Sequence, residues 1–137
     1  VAAVRDASSV PGTLRIYIDG VPAGSALDPT SGSLAIDAPD LIGRRNLCGT
    51  RNVFNGQIDE VRLWNTALTP AQIQTNRNRG LTGGEPNLLT YYRCDDGPGS
   101  VLADGAPLAG PNNGTLLNGT RFVLSDVSPF GVPGGPD

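Results

Sequence analysis

Histidine, lysine and methionine are all absent from this chain of 137 residues, and aromatic residues make up only 5% of it. Without histidine there is no Ser-His-Asp or Cys-His site, no imidazole general base and no imidazole metal ligand. All ten cations are arginines, which removes a Schiff-base lysine and the lysine of a P-loop. Charge is scarce as well. Charged residues are 17% of the chain and the net charge is −3, with a pI near 4.7, so there is no basic surface for nucleic acid. No apolar run approaches the ~20 residues of a membrane-spanning helix, and none has the pattern of a signal peptide, so no membrane insertion is expected. The chain opens on Val1-Ala2-Ala3-Val4 as if in mid-strand, with no Met. A processed product, an excised piece and part of something longer are the three expectations.

What the chain has in excess is glycine and proline: 19 and 12, or 31 of the 137 residues, against a usual share of roughly 12%. With so few charges, that composition predicts many short strands joined by tight turns rather than a helical bundle. The length suits one domain burying roughly two thirds of its unfolded surface. Two cysteines, Cys48 and Cys94, allow one disulfide closing a long loop, worth roughly 3–4 kcal/mol if unstrained. Two separate buried thiols fit the sequence equally.

Val1–Arg5 reads as a strand, and Leu14–Ile18 alternates apolar and polar residues at period two, as a half-buried strand does. Asp19-Gly20 is a hairpin signal, because both turn positions must tolerate positive φ. Pro22 marks the returning Val21–Ser25 segment as an edge strand or a bulged one. Ser33–Ile36 and Asp40–Arg44 read as further short strands. Asn55-Gly56 makes a turn and Ile58–Trp64 a strand, with Trp64 placed in the core. Thr69-Pro70-Ala71-Gln72 carries a helix start, with a Thr cap, Pro at the first position and Gln to close a capping box. The helix, near 69–79, ends on Gly80 as its cap and lies on a sheet as a surface element. Leu88–Cys94 is a strand leaving through the polar cluster Asp95 to Gly99. Residues 112–120 read as a short strand between two Asn-Gly turns, and Arg121–Leu124 as a last one. Residues 1–125 form the domain and 126–137 a Pro/Gly-rich tail or linker.

Several of these blocks, in this order, resemble a known family: Val1–Asp6, Leu14–Ser25, Leu41–Arg44, Phe54–Asn65, Leu68–Ile73 and Leu89–Gly97. They are similar to the laminin-G-like and pentraxin-like domains of the concanavalin A-like lectins and glucanases. The resemblance spans residues 1–124 and implies an all-β fold, an antiparallel jelly-roll β-sandwich with one short surface helix. Complete members carry several strands before the position matching Val1, so the likeness covers the C-terminal part of such a sandwich. The family position matching Cys94 is commonly aromatic or apolar, which implies an inward-facing thiol, paired or buried.

Glucanases of the superfamily carry a Glu-x-Asp-x-x-Glu strand, because a retaining glycosidase needs two carboxylates about 5 Å apart on one face. The matching positions here hold Gln57, Asp59 and Arg62, with Glu60 expected on the opposite face, so no catalysis is expected. Calcium is the cofactor the resemblance allows. Asp59 is its expected ligand, or else a buried carboxylate pinning the strand, and Asp95, Asp96 and Asp104 are a second acidic cluster that reads first as solvated turn residues and only then as ligands. Among the aromatics, Tyr17 falls on the polar phase of its strand and is the one expected to be exposed for ligand contact. The Asn-Gly-Thr triplets at Asn113 and Asn118 fit the N-glycosylation pattern and also plain Asn-Gly turns. The resulting expectation is an extracellular or cell-surface recognition and adhesion module that binds glycan or protein, with or without calcium. The alternative is a structural building block assembled by strand donation between chains, since half a jelly roll leaves open edges and a bare apolar face.

Overall fold

The computed structural model describes residues 1–30, 32, 40–44, 53–106 and 110–124. Strands β1 (Ala2–Asp6), β2 (Gly12–Ile18) and β3 (Val21–Asp28) form an antiparallel sheet in that order. The β2–β3 turn is the expected one, with Asp19 and Gly20 both at positive φ, 51° and 73°. Both roles expected of Pro22 are met. Among the described residues β3 is an edge strand, and Ala23 has no partner, because Tyr17 faces Pro22 while Ile16 faces Gly24.

Helix α1 (Pro70–Arg77) starts with a complete capping box. The Gln72 N–H donates to Thr69 Oγ1 at 3.3 Å and the Thr69 N–H donates to Gln72 Oε1 at 2.8 Å. The helix stops short of Gly80, capped at Asn78, because Arg62 already takes the carbonyls of Asn76 and Arg79. Ile73 and the flanking Leu68 pack on Val4, Tyr17 and Ala2 of the first sheet. Two helix side chains also hold the hairpin turn: the Gln74 amide donates to Gly20 O at 2.7 Å and the Arg77 guanidinium to Asp19 O.

That docking reverses the expected sense of β2. Thr13, Arg15 and Tyr17 share the face under the helix, and Tyr17 is 2% exposed. The exposure expected of Tyr17 is therefore corrected: a helix of thin apolar content covers the polar phase. The apolar phase, Leu14, Ile16 and Ile18, lies open at 42%, 51% and 52% exposure.

Strands β4 (Val61–Trp64) and β5 (Leu88–Tyr92) pair antiparallel. Both are shorter than expected, because Glu60 and Cys94 sit at positive φ, 54° and 62°, where an extended ladder cannot continue. Behind them Leu81, Leu88, Tyr91 and Ala106 form a second core, with Trp64 packed against it as expected. Burial of Leu88 or Tyr91 contributes roughly 1.5–3 kcal/mol each. A strand not expected from the sequence, β6 (Val101–Leu102), pairs with β7 (Gly114–Thr115). Asn118-Gly119 is a turn, at φ 57° and 83°, whereas Gly114 belongs to a strand. Arg121–Leu124 forms no strand. Of Asp40–Arg44 only Arg44 pairs among the described residues, in a single bridge with Val53. The strand expected at Ser33–Ile36, Cys48 and the 126–137 tail lie outside the described residues.

At one end of the first sheet Arg5 pairs with the buried Asp28, 2.5 Å apart. The Thr30 hydroxyl, then the Arg5 guanidinium and the Thr30 amide, hold the Asp28 carboxyl down at about 2, from an ordinary 3.8. A depressed carboxyl stabilises the fold in full above the unfolded value, and the effect is lost as pH falls through the folded one. The unfolding midpoint of the wild type is therefore expected to drop between pH 4 and 2, with a flatter profile for Asp28→Asn. Equal slopes in acid denaturation series would refute the assignment.

Candidate functional site

The segment Phe54 to Arg62 holds Gln57, Asp59, Glu60 and Arg62, the residues compared with the glucanase strand. The Arg44–Val53 bridge and a 2.8 Å bond from the Phe54 N–H to Gly43 O fix the start of the loop. Phe54 then stands 60% exposed, its ring against Gly56, where a Cβ would come within 2.7 Å of it. Asn55, Gln57 and Asp59 follow, all exposed. An aromatic ring beside two amides and a carboxylate was sought at Tyr17 and is found here. No pattern in the sequence marks Phe54 as outward, because a large apolar residue before a turn reads as core.

Asp59 accepts the Glu60 N–H at 2.9 Å. Partial burial pushes its carboxyl above the ordinary range, aided by the charges of Glu60 and Asp95 and opposed by that hydrogen bond. Glu60, expected only to face away from Asp59, turns inward through its left-handed backbone rather than strand alternation. Its carboxylate accepts from the Tyr91 hydroxyl, with oxygens 2.9 and 2.7 Å away, and from Arg62 at 2.6 Å. Arg62 is further bound to the carbonyl of Asn76 in the last turn of the helix and to that of Arg79 just beyond it, and lies 5.5 Å from the centre of the Tyr91 ring.

The acidic cluster divides. Asp95 and Asp96 act electrostatically on Asp59 and on Cys94 respectively, so these four share one end of the β4–β5 pair. Asp96 also accepts the Ala103 N–H at 3.1 Å. Asp104 is committed to backbone: Oδ1 accepts from the amides of Tyr91 and Ala106, and Oδ2 from that of Asn112. Burial raises the Asp104 carboxyl, but these bonds outweigh it and hold it low. Among the described residues no three Asp, Glu, Cys or His side chains are arranged to hold a metal ion.

Cys94 is half-buried and has no disulfide partner among the described residues. Burial, then the charges of Asp59 and Asp96, push its thiol up to about 11. Since the thiolate is the nucleophile, alkylation of Cys94 in the reduced native chain is expected to run roughly 100-fold slower than in urea at neutral pH. Peptide mapping after iodoacetamide measures this, and equal rates would contradict it.

Two open grooves flank the helix start and share Arg15, Tyr17 and Pro70. One of ≈ 370 Å³ reaches Asp6 and Thr69, and one of ≈ 450 Å³ reaches Ser25. Tyr17 lines both, although it is almost wholly buried. Among the described residues no helix is long and apolar enough to cross a membrane.

A protein of Bacteroides ovatus ATCC 8483, provisionally described as carbohydrate binding, has a similar solved structure. The two are 23% identical with a TM-score of 0.56, over 82% of this chain and 34% of that one. The chain thus spans about a third of that protein's length, and the likeness shows the fold: an antiparallel β-sandwich. No curated protein matches the chain. Residues 1–74 match the family model Laminin_G_3, described as concanavalin A-like lectin/glucanases superfamily. Over more than half its length, then, the ordered blocks from β1 to the helix are those of a laminin-G-type domain, and the chain belongs to that family of the concanavalin A-like superfamily.

Proposed function

We propose that the chain is a non-catalytic carbohydrate-recognition module of an extracellular or cell-surface protein, with the loop from Phe54 to Asp59 as its contact surface. The observation that carries this reading is the exposed Phe54 ring beside Asn55, Gln57 and Asp59. A sugar ring offers an apolar C–H face for an aromatic side chain, while its hydroxyls bond amides and carboxylates. Hydrolysis is disfavoured by the same segment. The positions for a nucleophile and an acid hold Gln57 and Arg62, and Arg62 is spent on Glu60 and the carbonyls of Asn76 and Arg79.

Phe54→Ala is expected to weaken glycan binding roughly tenfold or more while leaving the melting temperature within a degree or two, since the ring is exposed. A glycan array followed by calorimetry on both proteins measures this. No glycan bound, or equal affinities, would remove the reading. Calcium belongs to this proposal, with Asp59 as a ligand. Stabilisation by calcium in a thermal-shift series, lost in Asp59→Asn, is its test.

A second reading is favoured by the open apolar face of Leu14, Ile16 and Ile18. It takes the chain as a building block whose bare sheet face and edges receive strands from another copy. Sedimentation over a concentration series should then show self-association that Ile16→Thr removes, and a monomer at all concentrations would rule it out.

A further inference from the structure

The sequence holds three Asn-Gly steps, at 55–56, 113–114 and 118–119. Such a step is chemically labile, because glycine has no side chain to keep its amide nitrogen from the asparagine Cγ. The last two steps stand in identical Asn-Gly-Thr triplets, so local sequence alone makes them alike. The fold does not.

Asn113 is held at both ends of the reacting pair. Its Oδ1 accepts the Asp104 N–H at 2.9 Å, which fixes the side-chain amide. Gly114 is paired with Leu102 in the β6–β7 ladder, and its Cα lies against that side chain, a Cβ there coming within 3.4 Å of Leu102. Asn118 has neither restraint. It is exposed, at φ 57°, in the turn closed by the Thr120 N–H on Leu117 O at 3.2 Å, and its side chain has no hydrogen bond among the described residues. The site of Gly119 is open space, with nothing within 4 Å of a Cβ placed there. Asn55 stands between the two cases, since the Phe54 ring covers Gly56.

We propose that Asn118 is the chain's site of spontaneous deamidation and that Asn113, in the same triplet, is protected by the fold. In the reaction the Gly119 nitrogen bonds to Asn118 Cγ as the Cγ–Nδ2 bond breaks, and the proton of the Gly119 N–H leaves with the departing ammonia. One water then opens the five-membered imide, on either side of the ring nitrogen, to aspartate or isoaspartate. The product carries one more negative charge than the starting −3 and no longer has the acceptor amide of a glycosylation triplet.

The test is peptide mapping by mass spectrometry of the intact chain incubated at mildly alkaline pH, natively and in urea. In the native chain Asn118 is expected to convert roughly tenfold faster than Asn113 or more, since Asn113 reacts only on local opening of the ladder. In urea the two rates should converge. Comparable native rates would overturn the proposal. So would a difference that persists in urea, which would place its cause outside the fold. No conversion at Asn118 over a time in which a free peptide of the same sequence reacts would also overturn it. Asn118→Ser should remove the dominant mass gain and leave Asn113 unchanged.

Discussion

Replacing Tyr91 with alanine is expected to lower the unfolding free energy by about 3–5 kcal/mol, a large part of what a domain of this size holds in reserve. The side chain is 1% exposed and lies in the second core with Leu81, Leu88 and Ala106. Its hydroxyl accepts the buried Leu81 N–H at 3.1 Å and donates to Glu60. Arg62 and Arg93 lie over its ring, each 5.5 Å from the centre. Tyr91→Phe separates the parts. It keeps the packing and the ring, leaves the Leu81 amide without a partner, and should cost about 1–3 kcal/mol. Denaturant midpoints of the three proteins measure both values, and a phenylalanine variant as stable as wild type would show that the hydroxyl bonds contribute nothing net.

The second large effect is expected at Asp104. One carboxylate accepts three backbone amides, from Tyr91 in β5, Ala106 and Asn112, and so ties the segment before β7 to the edge of the second core. Asp104→Ala is expected to cost about 2–3 kcal/mol, because hydrogen bonds to a charged acceptor are stronger than average and the donors are left facing no partner. Asp104→Asn should cost less. Its remaining oxygen can serve Tyr91 and Ala106, while its NH₂ meets the Asn112 N–H, donor against donor. Chemical denaturation of the two variants gives the order, and equal losses would mean that charge rather than the bond pattern matters.

Most of the fold up to the helix was legible because local chemistry dictates it. Asp19-Gly20 tolerates positive φ, Pro22 cannot donate to a central ladder, and Thr69, Pro70 and Gln72 satisfy a helix start with their own side chains. The faults lie where distant contacts decide. Tyr17 sits on the polar phase of β2, and only the docking of α1 reveals that this phase is the covered one. The strand expected from Ile58 begins at Val61 because Glu60 leaves the ladder to meet Tyr91, a partner 31 residues away in sequence. The site followed the same rule. Asp59 is a candidate that a motif picks out, whereas the exposure of Phe54 depends on how the loop leaves the Arg44–Val53 bridge. Asp104 belonged to an acidic cluster only on paper, since backbone amides compete for its oxygens.

The helix packs on the first core and is bonded to β4 through Arg62, and mechanically that makes it a tie bar. Its side chains grip the β2–β3 turn through Gln74 and Arg77, and the Asn76 carbonyl in its last turn and the Arg79 carbonyl just after it are held by Arg62 of β4. A load on the Phe54 loop, which runs directly into β4, reaches Arg62 within eight residues and passes through the helix to the far hairpin. Force entering at the proposed contact surface is thus shared by both halves of the chain before either hydrophobic cluster has to open.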